Sequence, residues 1–316
     1  MLVLGLAATA AVAQSDYPSR TITIVAPSAP GGLYSLFARL LGTRLEARFG
    51  KSVVVENRPG AASIAGAVSV ARAAPDGYTL MVATSTTLAT NLALHKKLPY
   101  DPVADFAPVT LVARVPEVLV VNAELPIRSI ADLVRHAKEK AGTLTYASAG
   151  PATAQHLDGE TLKRTLNIEM THVPYKGMQP AINDVAGGHV ALMFAPVPIA
   201  LGLIAGGKLR VIGISTADRL DALPDTPPLA EIGVPGFNEA SWFMLVAPAK
   251  TPREIIARLH AELAAFTSAP EVRQELSRQG TLPVTSPSPD DLKHFVQSEI
   301  AHWAELVRKA GLTPSE

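Results

Sequence analysis

The sequence predicts an α/β protein built as two lobes, each a mostly parallel β-sheet flanked by helices. Strand-like and helix-like segments alternate along almost the whole chain, in three successive blocks. The length of 316 residues fits two domains, and a composition of 48% hydrophobic and 18% charged residues is typical of a folded globular chain. The first and last blocks are expected to share one lobe around an inserted middle block, with a ligand cleft between the lobes.

The first block has a βαβαβ pattern, which predicts parallel strands. Its strand-like runs are TITIVAP (21–27), SVVVEN (52–57) and YTLMVATS (78–85). Between them, apolar residues recur at helical spacing over 33–50 and 62–74, and Gly50 is expected to end the first of these helices.

The middle and last blocks repeat this alternation. VTLVARVPEVLVVN (109–122) is a long β-rich run, and Ser129 with Asp132 forms a capping box at the start of a helix. Further strands are predicted at 144–148, 171–175, 189–195, 209–215 and 241–249, and further helices at 129–140, 153–166, 178–188, 198–207, 251–266 and 288–311. The glycine pairs at 187–188 and 206–207 are read as helix stops. The lobes are therefore predicted at 16–112 plus 240–316 and at 113–239.

The N-terminal run MLVLGLAATAAVAQS is predicted to be a signal peptide. It is apolar, too short to span a bilayer, and ends in Ala11-Val12-Ala13, an A-x-A-type cleavage site before Gln14. The alternative is a buried first element. No Lys or Arg precedes the apolar run, which leaves open a start codon upstream of Met1. The mature chain is expected to be exported to the periplasm, without membrane insertion.

Composition argues against several function classes. The formal net charge is zero and no basic cluster is present, which argues against nucleic-acid binding. Cysteine is absent and the eight histidines are scattered, so neither a metal site nor a thiol nucleophile is expected. No GxGxxG or GxxxxGK[ST] motif supports a nucleotide, and no cofactor is predicted.

Four junctions between a predicted strand and a predicted helix carry no charged residue. They are APSAPGGLYS (26–35), ATSTTLAT (83–90), ASAGPATAQH (147–156) and FAPVPIA (194–200). Small residues let a ligand approach the backbone, and the first N–H groups of a helix lack partners, so such loops can bind an anion. Each loop alone also fits an ordinary βα turn, but four at equivalent places indicate a carboxylate site.

An enzymatic alternative centres on Ser148. YASAG resembles a nucleophile elbow, although Tyr146 stands where the motif needs Gly. A histidine could activate this serine and an aspartate could orient the histidine. The candidates are His156, His172, His189, Asp158 and Asp184. Hydrolysis is kept as the second hypothesis.

The chain resembles the substrate-binding receptors of tripartite tricarboxylate transporters, the Bug type of periplasmic binding protein. The stretches that carry the resemblance are YPSRTITIVAPSAPGG, VVVENRPGA, APDGYTLMVATS, KKLPYDPVADFAPVT, THVPYKG, GGHVALMF, GKLRVIGIS, LPDTPPLAEIGVPGF and SWFMLVAPAKTP. Each is weak alone, and their order and number make the assignment specific. The resemblance implies a Venus-flytrap fold in which one loop from each lobe grips a ligand carboxylate through backbone N–H groups, small hydroxyls and ordered waters.

Carried onto this sequence, the resemblance gives a set of ligand-binding candidates. They are Ser28, Ala29, Pro30, Gly31, Gly32, Leu33, Tyr34 and Ser35 in the first loop, Thr84, Ser85 and Thr86 in the wall, Ser148, Ala149, Gly150, Pro151, Ala152, Thr153 and Ala154 in the opposite loop, and Tyr175 and Ala195 beside it.

Two of these positions depart from the family pattern. Ser35 and Ala195 stand where the family commonly has Asp, which could receive an ammonium or a hydroxyl group of the ligand. Their loss argues against an amino-acid ligand, and Leu33, Tyr34, Ala195, Pro196 and Val197 are expected to face a less polar one; the alternative is that Ser35 and Ala195 point away from the cleft.

The sequence therefore predicts a monomeric, non-enzymatic receptor for a di-, tri- or aromatic carboxylate, which it delivers to a membrane permease. A receptor that signals through a sensor protein is the third hypothesis.

Overall fold

The computed structural model describes residues 17–140, 142–151, 153–235 and 237–314. The predicted signal peptide, 1–13, and one predicted site residue, Ala152, lie outside these residues.

The first part of the chain alternates strands and helices, as its apolar pattern predicts. Its elements are β1 (Ile22–Ala26), α1 (Leu33–Phe49), β2 (Val53–Asn57), α2 (Ile64–Ala71), β3 (Thr79–Thr84), a π-helical turn (Thr86–Thr90) and α3 (Asn91–Leu94). Phe37, Leu41 and Leu45 of α1 are fully buried, whereas Arg39 on the other face is exposed. The helix ends at Gly50, which adopts a left-handed conformation with φ of 65°.

The middle of the chain continues the alternation. Its elements are β4 (Phe106–Asn122), α4 (Ile130–Glu139), β5 (Thr145–Ser148), α5 (Ala154–Leu166), β6 (Thr171–Pro174), α6 (Met178–Ala186), β7 (Leu192–Pro196), α7 (Val197–Ala205) and β8 (Leu209–Ile214). The predicted cap of α4 is confirmed, because the Asp132 backbone N–H donates to Ser129 Oγ at 3.1 Å. Gly187 and Gly206 end α6 and α7, as predicted.

The last part contains a helix that the sequence pattern did not reveal. Its elements are β9 (Ala240–Pro248), α8 (Arg253–Ser268), α9 (Pro270–Arg278), β10 (Leu282–Pro283) and α10 (Pro289–Ala310). In α9 only Leu276 is buried, so this short helix has almost no apolar periodicity for a sequence argument to detect.

The strands form one mixed sheet, curled and flanked by helices. Their order is β2-β1-β3-β9-β4-β7-β5-β6, and β8 and β10 also pair with β4. β1 is parallel to β2 and β3, and β5 is parallel to β6 and β7. Every pairing of β4 and β9 is antiparallel. The predicted α/β class is confirmed, and the sheet is mixed because β4 and β9 join the two parallel groups.

Strand β4 changes partners near its middle. Phe106–Pro116 pairs with β9, and Glu117–Asn122 pairs with β7 and β8. We call β1, β2, β3, β9, β10 and Phe106–Pro116 the first sheet region, and β5 to β8 with Glu117–Asn122 the second sheet region. The lobe boundaries predicted from the sequence remain a prediction.

The pairing registers place the carboxyl ends of the two parallel groups opposite each other. β3 runs in the same direction as β4 and ends at Thr84, which Phe243 of β9 aligns with Ala113. β7 runs the other way and ends at Pro196, level with Glu117. The ends of β1, β2 and β3 (the first edge) and of β5, β6 and β7 (the second edge) are thus separated by the stretch 113–117 of β4, about 14 Å of extended strand. We expect this stretch to be the floor of the predicted ligand cleft, because open α/β folds bind ligands at the carboxyl ends of their strands.

Apolar clusters cover both faces of each sheet region. In the first region they include Phe37, Leu41, Val112 and Leu259 on one face and Met81, Leu111, Met244 and Val296 on the other. In the second region they include Leu119, Tyr146, Leu162 and Phe194 on one face and Val118, Ile182, Met193 and Ala195 on the other. This burial fixes the strands whose ends form the two edges.

Helix α10 spans both regions. Its first half packs Leu292 and Val296 into the core of the first region, and its second half packs Trp303 and Val307 against α5. The Arg164 Nε of α5 donates to the carbonyl of Ala310 at 2.7 Å. Although α10 has 22 residues, none of the helices in the described ranges combines the length and apolarity of a bilayer crossing.

Candidate ligand-binding cleft

The loop after β1 is held in place from behind by Asn57. The Asn57 Nδ2 donates to the carbonyl of Ser28 at 3.0 Å and to Ser35 Oγ at 2.6 Å. Gly31 has a φ of 91°, a conformation that favours glycine. Ala29, Pro30 and Gly31 are exposed, and Ser28 and Gly32 are half-buried, so the predicted first loop lies at the surface of the first edge.

Two predicted contacts of this loop point inwards instead. Ser35 is fully buried and bonds to Asn57, and Leu33 is 7% exposed within the core of the first region. The structure therefore gives Ser35 a supporting position under the loop, with no surface available to a ligand.

Tyr34 connects three elements of the first edge through its hydroxyl group. Ser63 Oγ donates to the Tyr34 Oη at 2.9 Å, and the Tyr34 Oη lies 2.8 Å from Thr84 Oγ1. The ring of Tyr34 stands edge-on to Phe243, with centroids 5.5 Å apart. Ser63 was not selected from the sequence, because it reads there as an ordinary residue near the start of a helix.

The three hydroxyl residues of the predicted wall lie at the end of β3, followed by a fourth, Thr87, that was not predicted as a site residue. Thr84 is 4% exposed and bonds to Tyr34, and Thr86 is half-buried. Ser85 and Thr87 are fully buried, and neither Ser85 Oγ nor Thr87 Oγ1 has a hydrogen-bond partner among the described residues. A buried hydroxyl without a partner costs stability. The hydrogen-bonding capacity of these two hydroxyl groups is therefore unused among the described residues.

A second layer of hydrogen bonds fixes this wall. Asn91 Nδ2 donates to the carbonyl of Ala62 at 2.9 Å and to Tyr100 Oη at 3.1 Å. The Tyr100 hydroxyl in turn donates to the carbonyl of Thr87 at 2.6 Å. The turn before α2 is strained, because Ala62 and Ser63 have φ values of 46° and 66°. Strain held by surrounding contacts is common at binding sites.

The loop of the second edge is held by its own hydroxyl groups. Ser148 is fully buried, its Oγ accepts from the Gly150 N–H at 3.1 Å, and it also lies 3.0 Å from the Gly150 carbonyl. Thr153 Oγ1 donates to the same carbonyl at 2.8 Å. Ala149 is half-buried and Pro151 is exposed. The hydrogen-bonding capacity of Ser148 is thus used within the loop.

The strand beside this loop adds backbone support. The Tyr175 N–H donates to the Ser148 carbonyl at 3.0 Å, and the Gly177 N–H donates to the Ala149 carbonyl at 3.1 Å. The Tyr175 hydroxyl donates to Asp184 Oδ2 at 2.5 Å. Tyr175 therefore supports the loop after β5 through its backbone N–H.

Ser148 also contacts a histidine side chain, as the hydrolase hypothesis requires. His172 Nε2 lies 2.6 Å from Ser148 Oγ, but within the described ranges no carboxylate bonds the other ring nitrogen of His172. The ring is stacked between Tyr146 and His156, and burial, with His156 nearby, lowers the pKa of His172 to about 4. A buried serine bonded to a stacked, neutral histidine without an orienting acid is a packing contact.

The junction after β7 faces the core. Ala195, Pro196 and Val197 are all buried, and Ala195 is fully buried in an apolar cluster with Val118 and Ile182. The second position at which this chain lacks the expected Asp therefore has no surface in the cleft.

Glu117 occupies the cleft floor, and the sequence reasoning missed it. It is 2% exposed, Gln155 Nε2 donates to its Oε1 at 2.6 Å, and its Oε2 has no partner among the described residues. Burial raises the pKa of Glu117 to about 8. Burial first, and then Glu117 and Glu239, raise the pKa of Asp158 well above its usual value. The signal was present in the sequence, because Glu117 is the single acidic residue of the run 109–122.

Each edge carries the N-terminus of a helix. α1 begins after Gly32 and α5 begins after Thr153, and neither cap residue makes a side-chain hydrogen bond to its helix. The first N–H groups of an α-helix have no partner within the helix, and the positive end of the helix dipole lies behind them. Within the described part of the chain, no group of three or more acidic or histidine side chains is placed to hold a metal.

The sequence is similar to a family of transport receptors. Residues 37–312 match the family model described as the tripartite tricarboxylate transporter family receptor. The UPF0065 protein in the tcbD-tcbE intergenic region of Pseudomonas sp. is 36% identical over 97% of this chain and 91% of its own length. Protein BugT of Bordetella pertussis is 35% identical over 96% of this chain and 93% of its own.

Solved structures give the same result. R. palustris Rpa4515, solved with adipate, has a TM-score of 0.91 and 37% identity over 95% of this chain and 100% of its own. Periplasmic binding protein BugD has a TM-score of 0.88 and 33% identity over 95% and 100% of the two chains. MatC from Rhodopseudomonas palustris, with bound malate, has a TM-score of 0.85 and 33% identity over 92% and 100%.

Proposed function

Because this chain belongs to the tripartite tricarboxylate transporter receptor family, we propose that it is a periplasmic receptor that captures an organic dicarboxylate between the first and second edges. The family and its fold are those of solute-binding receptors and not of enzymes. One observation carries the proposed binding mode: Ser85 and Thr87 are buried with unpartnered hydroxyl groups on an edge that faces another across the cleft floor.

The available donors favour an anion. The hydroxyl groups of the first edge can donate to a ligand oxygen, and the helix N-termini at both edges add N–H groups and a favourable dipole. A helix terminus contributes about 0.3–1 kcal/mol to binding an anion at an exposed site and up to about 2 kcal/mol when partly buried. Two termini and several hydrogen bonds can reach the roughly 8 kcal/mol of a micromolar complex.

A ligand with a carboxylate at each end fits two facing edges. α1 and α5 present uncapped N-termini from opposite sides of the floor. Two structural relatives are solved with adipate and with malate, both dicarboxylates. The missing Asp at Ser35 and Ala195 no longer helps to choose the ligand, because both residues are fully buried.

Isothermal titration calorimetry with the mature chain tests the ligand class. The panel comprises adipate, malate, citrate, an aromatic carboxylate, aspartate and glutamate. We expect Kd values in the micromolar range or tighter for adipate or malate. Aspartate and glutamate also carry two carboxylates, so they test whether an added ammonium group is tolerated. Binding of the aromatic carboxylate alone, with no binding of any compound that carries two aliphatic carboxylates, would overturn the dicarboxylate assignment.

We also propose that the chain is exported to the periplasm and delivers its ligand to a membrane permease. The A-x-A site before Gln14 and the resemblance to BugD, a periplasmic binding protein, support a periplasmic location. Expression in a Gram-negative host with N-terminal sequencing of the periplasmic fraction should give a mature chain beginning at Gln14.

Delivery to a permease predicts that deleting the receptor abolishes diacid uptake into cells. Unchanged uptake with loss of a transcriptional response would favour the signalling alternative.

A further inference from the structure

Three hydroxyl groups of the first edge form a continuous chain of hydrogen bonds. Ser63 Oγ donates to Tyr34 Oη at 2.9 Å, and Tyr34 Oη lies 2.8 Å from Thr84 Oγ1. The three residues come from the start of α2, the first turn of α1 and the end of β3. These hydrogen bonds therefore connect α1, the start of α2 and the end of β3.

The first bond favours one direction for the second, although the geometry of the Tyr34–Thr84 contact alone allows either hydroxyl to donate. A tyrosine hydroxyl has one hydrogen, so a Tyr34 hydroxyl that accepts from Ser63 keeps its own hydrogen for Thr84. Thr84 then accepts from Tyr34 and retains its own hydrogen. Among the described residues no acceptor takes that hydrogen. Thr84 is 4% exposed at the first edge, beside the unpartnered hydroxyl of Ser85.

Ser63 adopts a backbone conformation that costs free energy. A residue with a Cβ in a left-handed conformation is disfavoured, yet Ala62 and Ser63 both adopt one. Asn91 Nδ2 fixes the turn by donating to the Ala62 carbonyl at 2.9 Å. In this strained turn the Ser63 hydroxyl donates to Tyr34 Oη.

We propose that Ser63, Tyr34 and Thr84 form a one-way hydrogen-bond relay that fixes the Thr84 hydroxyl as a donor to a carboxylate oxygen of the ligand. The inference rests on the proposed carboxylate-binding function and names a further set of residues for it. Ser63 and the Tyr34 hydroxyl are positioning groups, since they act on the ligand through Thr84. A donor fixed before binding loses no rotational freedom when the ligand arrives.

A double-mutant cycle tests the relay, with adipate as the probe and calorimetric Kd as the readout. Thr84→Val should raise Kd about 10- to 100-fold, the usual range for losing a hydrogen bond to a charged group. Tyr34→Phe keeps the ring beside Phe243 and should raise Kd about 3- to 10-fold. In the Thr84→Val background, Tyr34→Phe should change Kd by less than about twofold, because it acts only through Thr84. Thr84→Ser, which keeps the hydroxyl, should restore the Tyr34→Phe effect.

Two further variants distinguish an effect on ligand binding from an effect on folding stability. Ser63→Gly removes the relay donor and also relieves the positive φ, so it should raise Kd while the thermal midpoint is unchanged or higher. Tyr78→Phe is the matched control: the Tyr78 hydroxyl also makes two hydrogen bonds, to the N–H and Oγ of Ser19, but it precedes β3 at the opposite sheet edge. This control should leave Kd unchanged.

The outcomes distinguish the relay from the function on which it rests. Additive effects of Tyr34→Phe and Thr84→Val, or unchanged Kd in both single variants, would overturn the relay alone. Failure of the natural chain to bind adipate or any other diacid would overturn the proposed function and the relay with it. Non-additive effects with the Thr84→Ser rescue would establish the relay.

Discussion

The two facing edges of the cleft use small hydroxyl residues in opposite ways. On the first edge, Ser85 and Thr87 are fully buried and their hydroxyl groups have no partner among the described residues. On the second edge, Ser148 bonds within its own loop and to His172, and Thr153 bonds to the Gly150 carbonyl.

Under the proposed function, this difference distinguishes hydroxyl groups that bind the ligand from hydroxyl groups that stabilise the fold. A buried hydroxyl without a partner lowers stability, so its presence indicates a function that compensates for it. A hydroxyl that donates to a backbone carbonyl stabilises the loop and has no hydrogen left to donate to a ligand oxygen. The first edge should therefore bind through side chains, and the second edge through its backbone.

The largest expected effect comes from Glu117, which lies between the edges but bonds only to Gln155 of the second. Its raised pKa of about 8 means that the folded chain keeps a proton that the unfolded chain releases near pH 4.5. This effect makes stability fall as pH rises from about 4.5 to about 8. Buried Asp158 also has a raised pKa and contributes a slope of the same sign. Glu117→Gln should therefore reduce the slope and stabilise the chain at pH 9, measured by urea unfolding.

Glu56→Gln is the control for this pH dependence. A hydrogen bond from Arg58 lowers the pKa of Glu56, so its own contribution to stability is lost as pH falls and not as pH rises. An unchanged slope in Glu117→Gln would show that Glu117 is ionised in the floor at neutral pH.

The next effect tests the backbone role of the second edge. Gly150 has a φ of 136°, and a Cβ there would lie 3.2 Å from the Tyr175 carbonyl. Gly150→Ala should lower the free energy of unfolding by about 2–3 kcal/mol and weaken adipate binding, because the loop must shift. Gly207→Ala, at a φ of 66° with no atom within 4 Å, should cost about 1 kcal/mol and leave Kd unchanged. If Gly150→Ala and the natural chain bind adipate with equal Kd values, the backbone of the second edge does not contribute to binding.

A smaller effect is expected at the Ser148–His172 contact. Ser148→Ala leaves the Gly150 N–H and His172 Nε2 without their partner, and should destabilise the chain by about 1–2 kcal/mol. Chemical denaturation measures this loss. The receptor assignment predicts no hydrolysis of generic esters by the natural chain, so any turnover that Ser148→Ala abolishes would contradict it.

The sequence predicted the strand and helix order well because apolar periodicity is a local property. It predicted one long β-rich run over 109–122, but not that the strand begins at Phe106 and changes partners at Glu117, because strand pairing depends on distant segments. It also missed the left-handed turn at Ala62 and Ser63, since residues other than glycine normally avoid that conformation. Ser35 was read as a cleft residue because its chain position says nothing about the Asn57 side chain that covers it.

The most direct test of the difference between the edges measures two alanine variants side by side. Ser85→Ala removes an unpartnered hydroxyl and Ser148→Ala removes a satisfied one. For each variant, urea unfolding and adipate calorimetry give the free energy of unfolding and Kd. We predict that Ser85→Ala raises stability by about 0.5–1 kcal/mol and raises Kd about tenfold or more, whereas Ser148→Ala lowers stability and changes Kd less than about threefold. Loss of stability with unchanged Kd in Ser85→Ala would contradict the assignment of the first edge as the side-chain binding surface.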